Sequence, residues 1–230
     1  MEIKAVTVDV GGTLAEGRLD REGYRKRLFQ FLRGRARDLT ERDFDKGIGG
    51  MLGRLGRIRK RNREGDFVDL YSDLLVGFGI EPEPKLIEDI RRLHFENFPQ
   101  HEIKGTRGVL EKLHERYKLA VISNTMSGVS RNFLDKSGLS NYFDLVVLSC
   151  DIGIRKPDPR IFLYTLEKLE VDPSEALHVG NSMMYDVAGA KGVGMGVVWI
   201  VNKGEELTHQ PDYIVSSVLD LLEVVKHWRG

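Results

Sequence analysis

Ala5-Val6-Thr7-Val8-Asp9-Val10-Gly11-Gly12-Thr13-Leu14 is a short apolar run that breaks on a carboxylate and two glycines. Its length and its valines predict a strand over residues 5–10, buried on both faces as strands of parallel sheets are. In such sheets ligands collect outside the carboxyl ends of the strands. A central place for this strand therefore puts Asp9 at an active-site position. An aspartate there can act as nucleophile, metal ligand or both. Gly11 and Gly12 let the backbone turn tightly and come close to a ligand. The plainer alternative is an aspartate that merely begins a turn.

Five more runs of the same texture follow, at 119–123, 145–148, 177–180, 197–201 and 213–215. Between the later ones the apolar spacing turns helical, at 108–115, 159–169 and 217–228. Strands alternating with helices predict βαβ units and a mainly parallel sheet covered on both faces. Residues 15–103 differ. They carry helical patterns, clearest at 23–32, 66–76 and 84–98, without a convincing buried strand. The reading is an all-helical insertion after the first strand. Its first part, 15–63, holds 16 basic and 7 acidic residues, and its second, 64–103, holds 3 and 10. Such a module can dock its halves on each other or face an anion. The segment 47–63 is rich in glycine and arginine and reads first as a solvated helix face that can pair with the acidic part. The alternative is a mobile electropositive lid, since each glycine weakens a helix by about 1 kcal/mol relative to alanine.

Composition excludes several classes. The chain has 230 residues, 41% hydrophobic and 30% charged, with zero formal net charge. That fits an ordinary globular protein and gives no general attraction to nucleic acid. One cysteine, Cys150, permits neither an internal disulfide nor a cysteine-based zinc site. No apolar run nears the ~18 residues of a membrane helix, and the start lacks signal-peptide features. A cytoplasmic protein, monomeric or homodimeric, with no nucleic-acid or membrane partner is the expectation.

Three further stretches carry chemistry. Val121-Ile122-Ser123-Asn124 ends a strand on a hydroxyl and an amide, which can hold an anion's oxygens or form an ordinary turn. In Arg155-Lys156-Pro157-Asp158-Pro159 the prolines stiffen the approach to a helix and fix the direction of Lys156. A lysine near Asp9 would stabilise a carboxylate and a bound anion together; a solvated lysine is the alternative. In His178-Val179-Gly180-Asn181-Ser182-Met183-Met184-Tyr185-Asp186, Asn181 and Asp186 are oxygen donors suited to Mg²⁺. Asp186 could instead be a helix-start carboxylate helped by the dipole.

In this order the four stretches resemble the four motifs of the haloacid dehalogenase superfamily, and the resemblance runs the length of the chain. It implies an α/β architecture: a Rossmann-like, mainly parallel core from residues 1–14 and 104–230, with an inserted all-helical cap over 15–103. By the same resemblance Asp9 is the nucleophile, and Ser123, with Asn124 beside it, binds the transferring group. Lys156 neutralises nucleophile and substrate charge. Mg²⁺ is held by Asp9, the Gly11 carbonyl, Asn181 and Asp186. The substrate is a small phosphorylated anion, and the cap is expected to open and close over Asp9.

Two positions depart from the pattern. The phosphatases of this family keep an acid–base aspartate where this chain has Gly11, a loss that typically costs about 10²–10⁴-fold in rate. Asn181 stands where a metal-binding aspartate is usual, so weak Mg²⁺ binding is expected. The alternatives are therefore a dehalogenase- or phosphonatase-type hydrolase, for which Lys46 or Lys60 could supply a cap lysine, or a non-catalytic anion-binding protein.

Overall fold

The computed structural model describes residues 2–36, 38–201 and 204–228. The chain forms two compact units, Met1–Gly17 with Gln100–Gly230, and Arg18–Pro99. Strand β1 is Ala5–Val8, followed by the two-residue β2 at Ala15–Glu16. The second unit is helical: α1 Arg21–Arg33, α2 Glu41–Arg59, α3 Phe67–Gly77 and α4 Pro84–Glu96. The chain returns through β3 at His101–Glu102, which pairs antiparallel with β2. There follow α5 Thr106–His114, β4 Lys118–Ser123, α6 Val129–Ser137, β5 Leu145–Leu148 and α7 Ser149–Ile152. Next come α8 Pro159–Leu169, β6 Ala176–Gly180, α9 Ala188–Lys191, β7 Gly196–Ile200, β8 Tyr213–Val215 and α10 Leu221–Lys226.

Among the described residues six strands make one parallel sheet in the order β5-β4-β1-β6-β7-β8. The chain builds outward from β1 to β4 and β5, then crosses back to β6 on the other side. β1 is thus where the winding reverses, which in open parallel sheets is the ligand crevice. Alternation along β1 splits its side chains. Val6 and Val8 pack with Val109 and Leu113 of α5, Phe133 of α6 and Leu221 of α10. Ala5 lies on the opposite face, in a cluster with Ile161, Phe162 and Leu166 of α8 and Ala190 of α9. Helices on both faces explain why these strands read as unbroken apolar runs.

Strand ends differ from the sequence reading by a residue or two. β1 stops at Val8 rather than residue 10, although the Asp9 N–H still donates to the Val179 carbonyl at 2.9 Å. Asp9 is the first residue past the strand, and its side chain is released to the sheet's edge. The last helical stretch is a single 3₁₀ turn at Val218–Asp220 running into α10.

The glycine- and arginine-rich segment falls largely on α2. Its glycine-rich stretch lies within one helix of 19 residues. Thr40 caps its start by accepting from the Asp43 N–H, and Phe44, Met51 and Leu55 form its buried stripe. A cap contributes about 1 kcal/mol and each large buried side chain roughly 1.5–3, which together offset the glycine cost. The two oppositely charged parts of this unit are joined by Arg27–Glu96, Arg54–Asp73 and Arg59–Glu64.

The helical unit also buries His94, 8% exposed, edge-on to Tyr24 at 5.2 Å and near Phe67 and Phe98. Its Nδ1 has no hydrogen-bond partner among the described residues. Burial lowers its pKa to about 4. Below pH ~6.5 the unfolded chain takes up a proton that the folded unit refuses. Stability should therefore fall as pH drops from about 6.5 to 4, by up to ~3 kcal/mol from this residue. Urea midpoints followed by circular dichroism should show that loss in the native chain, and His94→Leu should remove it.

Candidate active site

The sheet brings the four stretches together at its carboxyl edge. Asp9 follows β1, Ser123 ends β4, Asn181 follows β6, and Lys156 comes from the loop before α8. Lys156 is 1% exposed, and its ammonium donates to three oxygens: Asp9 Oδ1 at 2.8 Å, Asp186 Oδ1 at 2.6 Å and the Ile122 carbonyl at 2.6 Å. Three donors and three acceptors leave the ammonium fixed in direction.

Its backbone is fixed as well. The Lys156 N–H donates to Asn124 Oδ1 at 2.9 Å, and Asn124 Nδ2 donates to the Lys156 carbonyl at 3.0 Å. One N–H of the Asn124 amide is left beside these two bonds. Both ends of its side chain are engaged on the Lys156 main chain, so it positions the lysine. Ser123 is buried, with its Oγ 3.0 Å from Ser130 Oγ.

Asp186 is held on both oxygens. Oδ1 meets Lys156 and the His178 Nε2 at 3.2 Å, and Oδ2 accepts from the Ser182 N–H at 2.9 Å. It lies on the π-helical turn Met183–Val187, whose N-cap is Ser182. The approach depends on Gly180, where a Cβ would come within 2.2 Å of the Asp186 carboxyl carbon. Burial opposes the Asp186 charge, but Lys156 and His178 outweigh it and keep the carboxyl well below the usual carboxylate range. Asp9 goes the other way. Burial, reinforced by repulsion from Asp186, overrides Lys156 and raises it to about 6. The pair has one firm anion, Asp186, and one proton-accepting carboxylate, Asp9.

The two glycines of the first stretch are not equivalent. Gly12 has φ +78°, and a Cβ on it would lie 2.2 Å from Asn181 Nδ2. Only glycine fits there. At Gly11 a Cβ would meet nothing within 4 Å, so the missing side chain is no steric necessity.

For a divalent cation the expected donors are the Asp9 carboxylate, the Gly11 carbonyl, the Asn181 amide and Asp186. All are oxygen donors of the kind Mg²⁺ takes, and Asn181 packs on the turn that carries Gly11. The charge is thin, because Lys156 offsets one of the two carboxylate charges. Among the described residues no group of three or more His, Cys, Asp or Glu side chains is gathered for a metal. The set suits a weakly held cation.

The sequence reading missed Thr7, Ser130, Ser149 and Glu205. Ser149 Oγ accepts from the Thr125 N–H at 2.8 Å, and Glu205 accepts from the Ser182 hydroxyl and the Met183 N–H. Period-two alternation could have pointed to Thr7, a polar residue on the Asp9 face of a buried strand. The others carry no local signal.

The sequence model of the haloacid dehalogenase-like hydrolases matches residues 3–194. The chain is 28% identical to the glyceraldehyde 3-phosphate phosphatase of Methanopyrus kandleri, over 97% of both proteins. It is 30% identical to the Pyrococcus furiosus protein of that name over 70% of each. The crystal structure of a HAD phosphatase from Thermococcus onnurineus superposes with a TM-score of 0.67 at 27% identity, covering 99% of this chain and 100% of that one. A 2-haloacid dehalogenase from Pseudomonas syringae pv. Tomato gives 0.76 at 24% with the same coverage, a likeness of fold alone. The Rossmann-like sheet with Asp9 at its reversal point and a sequence match across most of its length make this chain a member of the haloacid dehalogenase-like hydrolases.

Proposed function

We propose that the protein hydrolyses a small phosphorylated metabolite through a covalent intermediate on Asp9, with Mg²⁺ weakly bound. The observation that carries this is the Lys156 ammonium, buried and bonded to both Asp9 and Asp186. A cation so placed supports attack by a carboxylate on an anion, because it screens the charge that would otherwise repel them. An Asp9 oxygen would bond to phosphorus as the bond to the leaving oxygen breaks, and the leaving oxygen would take a proton from water. Water would then attack the aspartyl-phosphate, releasing phosphate and restoring the carboxylate. Ser123 would hold the transferring group, and Lys156 would keep both carboxylates in place. Mg²⁺, held by Asp9, the Gly11 carbonyl, Asn181 and Asp186, would add further charge neutralisation. The helical insertion over 15–103 would serve as the cap that selects the substrate.

The relatives' names support a phosphorylated substrate and supply the test. Glyceraldehyde 3-phosphate, phosphoglycolate, phosphoserine, a pyrimidine 5′-nucleotide and pyrophosphate should be assayed with and without Mg²⁺, beside a phosphonate and a haloacid. Phosphate release from at least one ester supports the proposal; cleavage of only the haloacid or phosphonate overturns it. That second outcome is the reading Gly11 favours, since no acid–base side chain stands there. Inactivity on every member of the panel would favour an anion-binding protein.

Two substitutions sharpen the test. The open space at Gly11 admits a side chain, so Gly11→Asp should raise kcat on phosphate esters by about 10²-fold or more by supplying an acid–base. An unchanged kcat would mean that another group already moves the proton. Asn181→Asp adds a carboxylate to the donor set and should tighten Mg²⁺ by roughly tenfold or more in calorimetric titration, since ligand charge sets affinity in oxygen sites.

A further inference from the structure

Beneath the site lies a polar pair that the proposed chemistry does not use. Thr7 and His178 are both fully buried. They are register partners on adjacent strands β1 and β6, so their side chains stand side by side on one face. Thr7 Oγ1 is 2.7 Å from His178 Nδ1, and the far nitrogen, Nε2, is 3.2 Å from Asp186 Oδ1. Phe162 of α8 closes over the imidazole edge-to-face at 5.2 Å. A hydrogen-bonded line therefore runs from Thr7 through His178, Asp186 and Lys156 to Asp9.

Two proton arrangements satisfy this line: a neutral imidazole that accepts from Thr7 at 2.7 Å, or an imidazolium that donates to Thr7 and turns its hydroxyl to the Leu177 carbonyl at the weaker distance of 3.4 Å. An ionised Asp186 can only accept, so His178 Nε2 carries a hydrogen and donates. In a neutral imidazole Nδ1 is then an acceptor, so the Thr7 hydroxyl donates to it. Burial, the largest influence on His178, favours that neutral ring. Thr7 thereby selects the tautomer, and the tautomer decides whether His178 holds Asp186 or repels it.

We propose that His178 is a positioning residue, set by Thr7, that keeps the Asp186 carboxylate turned toward Lys156 and so aims the lysine at Asp9. It rests on the proposed roles of Asp9 and Lys156 only for its kinetic consequence. Asp186 keeps two other anchors, Lys156 and the Ser182 N–H. The effect on turnover is therefore that of an outer partner, about 10–100-fold.

The test combines nitrogen-15 NMR of the histidine rings and carbon-13 NMR of the lysines with kinetics on the whole chain. Wild-type His178 should show a neutral ring protonated at Nε2. Thr7→Val, which removes the donor to Nδ1, should mix in the Nδ1–H tautomer and shift the Lys156 Cε resonance. On a substrate that the wild type turns over, Thr7→Val and His178→Leu should lower kcat by about tenfold or more with KM within about twofold. His178→Gln, which retains an N–H donor, should recover part of the loss. A wild-type ring protonated at Nδ1, or a Lys156 signal unmoved in Thr7→Val, would overturn the proposal. So would unchanged kcat per folded enzyme in Thr7→Val, which serves even where His178→Leu does not fold. If the wild type hydrolyses nothing, the functional reading fails alone, and the two NMR readouts still decide this one.

Discussion

Asp9→Asn should abolish phosphate release while leaving the protein as stable as before, or more so. The activity loss follows from chemistry. An amide is a poor nucleophile for phosphorus, and loss of a group that acts as one unit with its partners costs on the order of 10⁴–10⁶-fold. The stability effect follows from the site's electrostatics. Asp9 is raised to about 6 because burial and Asp186 outweigh the help from Lys156. The folded protein therefore holds a proton on Asp9 at pH values where the unfolded chain has lost it. As pH rises from the ordinary carboxylate range through about 6, that group's contribution turns against folding. Above pH 6 the ionised Asp9 is a cost, which asparagine removes while its oxygen can still accept from Lys156. Thermal melts at pH 7.5 should show an unchanged or higher Tm for Asp9→Asn, with the difference shrinking toward pH 4. Activity surviving the substitution would remove Asp9 as nucleophile. A large fall in Tm would mean that Asp9 is there to stabilise Lys156.

The same site shows what can be read from one sequence. Each of the four stretches was visible because its chemistry lies in consecutive residues. An apolar strand that ends in a carboxylate, or a lysine fenced by prolines, is a local pattern. The sheet was legible for a related reason: strands buried on both faces become unbroken valine and isoleucine runs. The bonds of Asn124 to the Lys156 backbone, 32 residues away, were not legible because they are not local. Thr7 and His178 were passed over because their pairing depends on strand register, which composition does not carry. In the helix Glu41–Arg59 the glycines weigh against helix locally, whereas Phe44, Met51 and Leu55 favour it only once there is a core to bury them. Where the reading fell short, a contact distant in sequence had outweighed a local preference.

Lys156 makes the strongest such contacts, and Lys156→Met should be the most damaging single change in the site. Methionine fills similar volume, so packing is nearly conserved. What is lost is an ammonium bonded to two carboxylates buried side by side. Breaking a buried ion pair by removing one partner costs about 3–5 kcal/mol, which for a chain of this length lowers Tm by roughly 10 °C. Turnover should fall by about 10³–10⁵-fold, the range seen when a cation that stabilises phosphoryl transfer is withdrawn. The two losses can be separated. In Lys156→Met with Asp186→Asn, Asp9 alone remains of the carboxylate pair, and its proton can stay on at modest cost. Most of the Tm should return in that double variant while kcat stays at the level of Lys156→Met. Recovery of both would make Lys156 a structural counter-ion to Asp186 with no part in the reaction. Recovery of neither would place the damage in the Ile122 carbonyl, the third oxygen on the ammonium, rather than in the carboxylate pair.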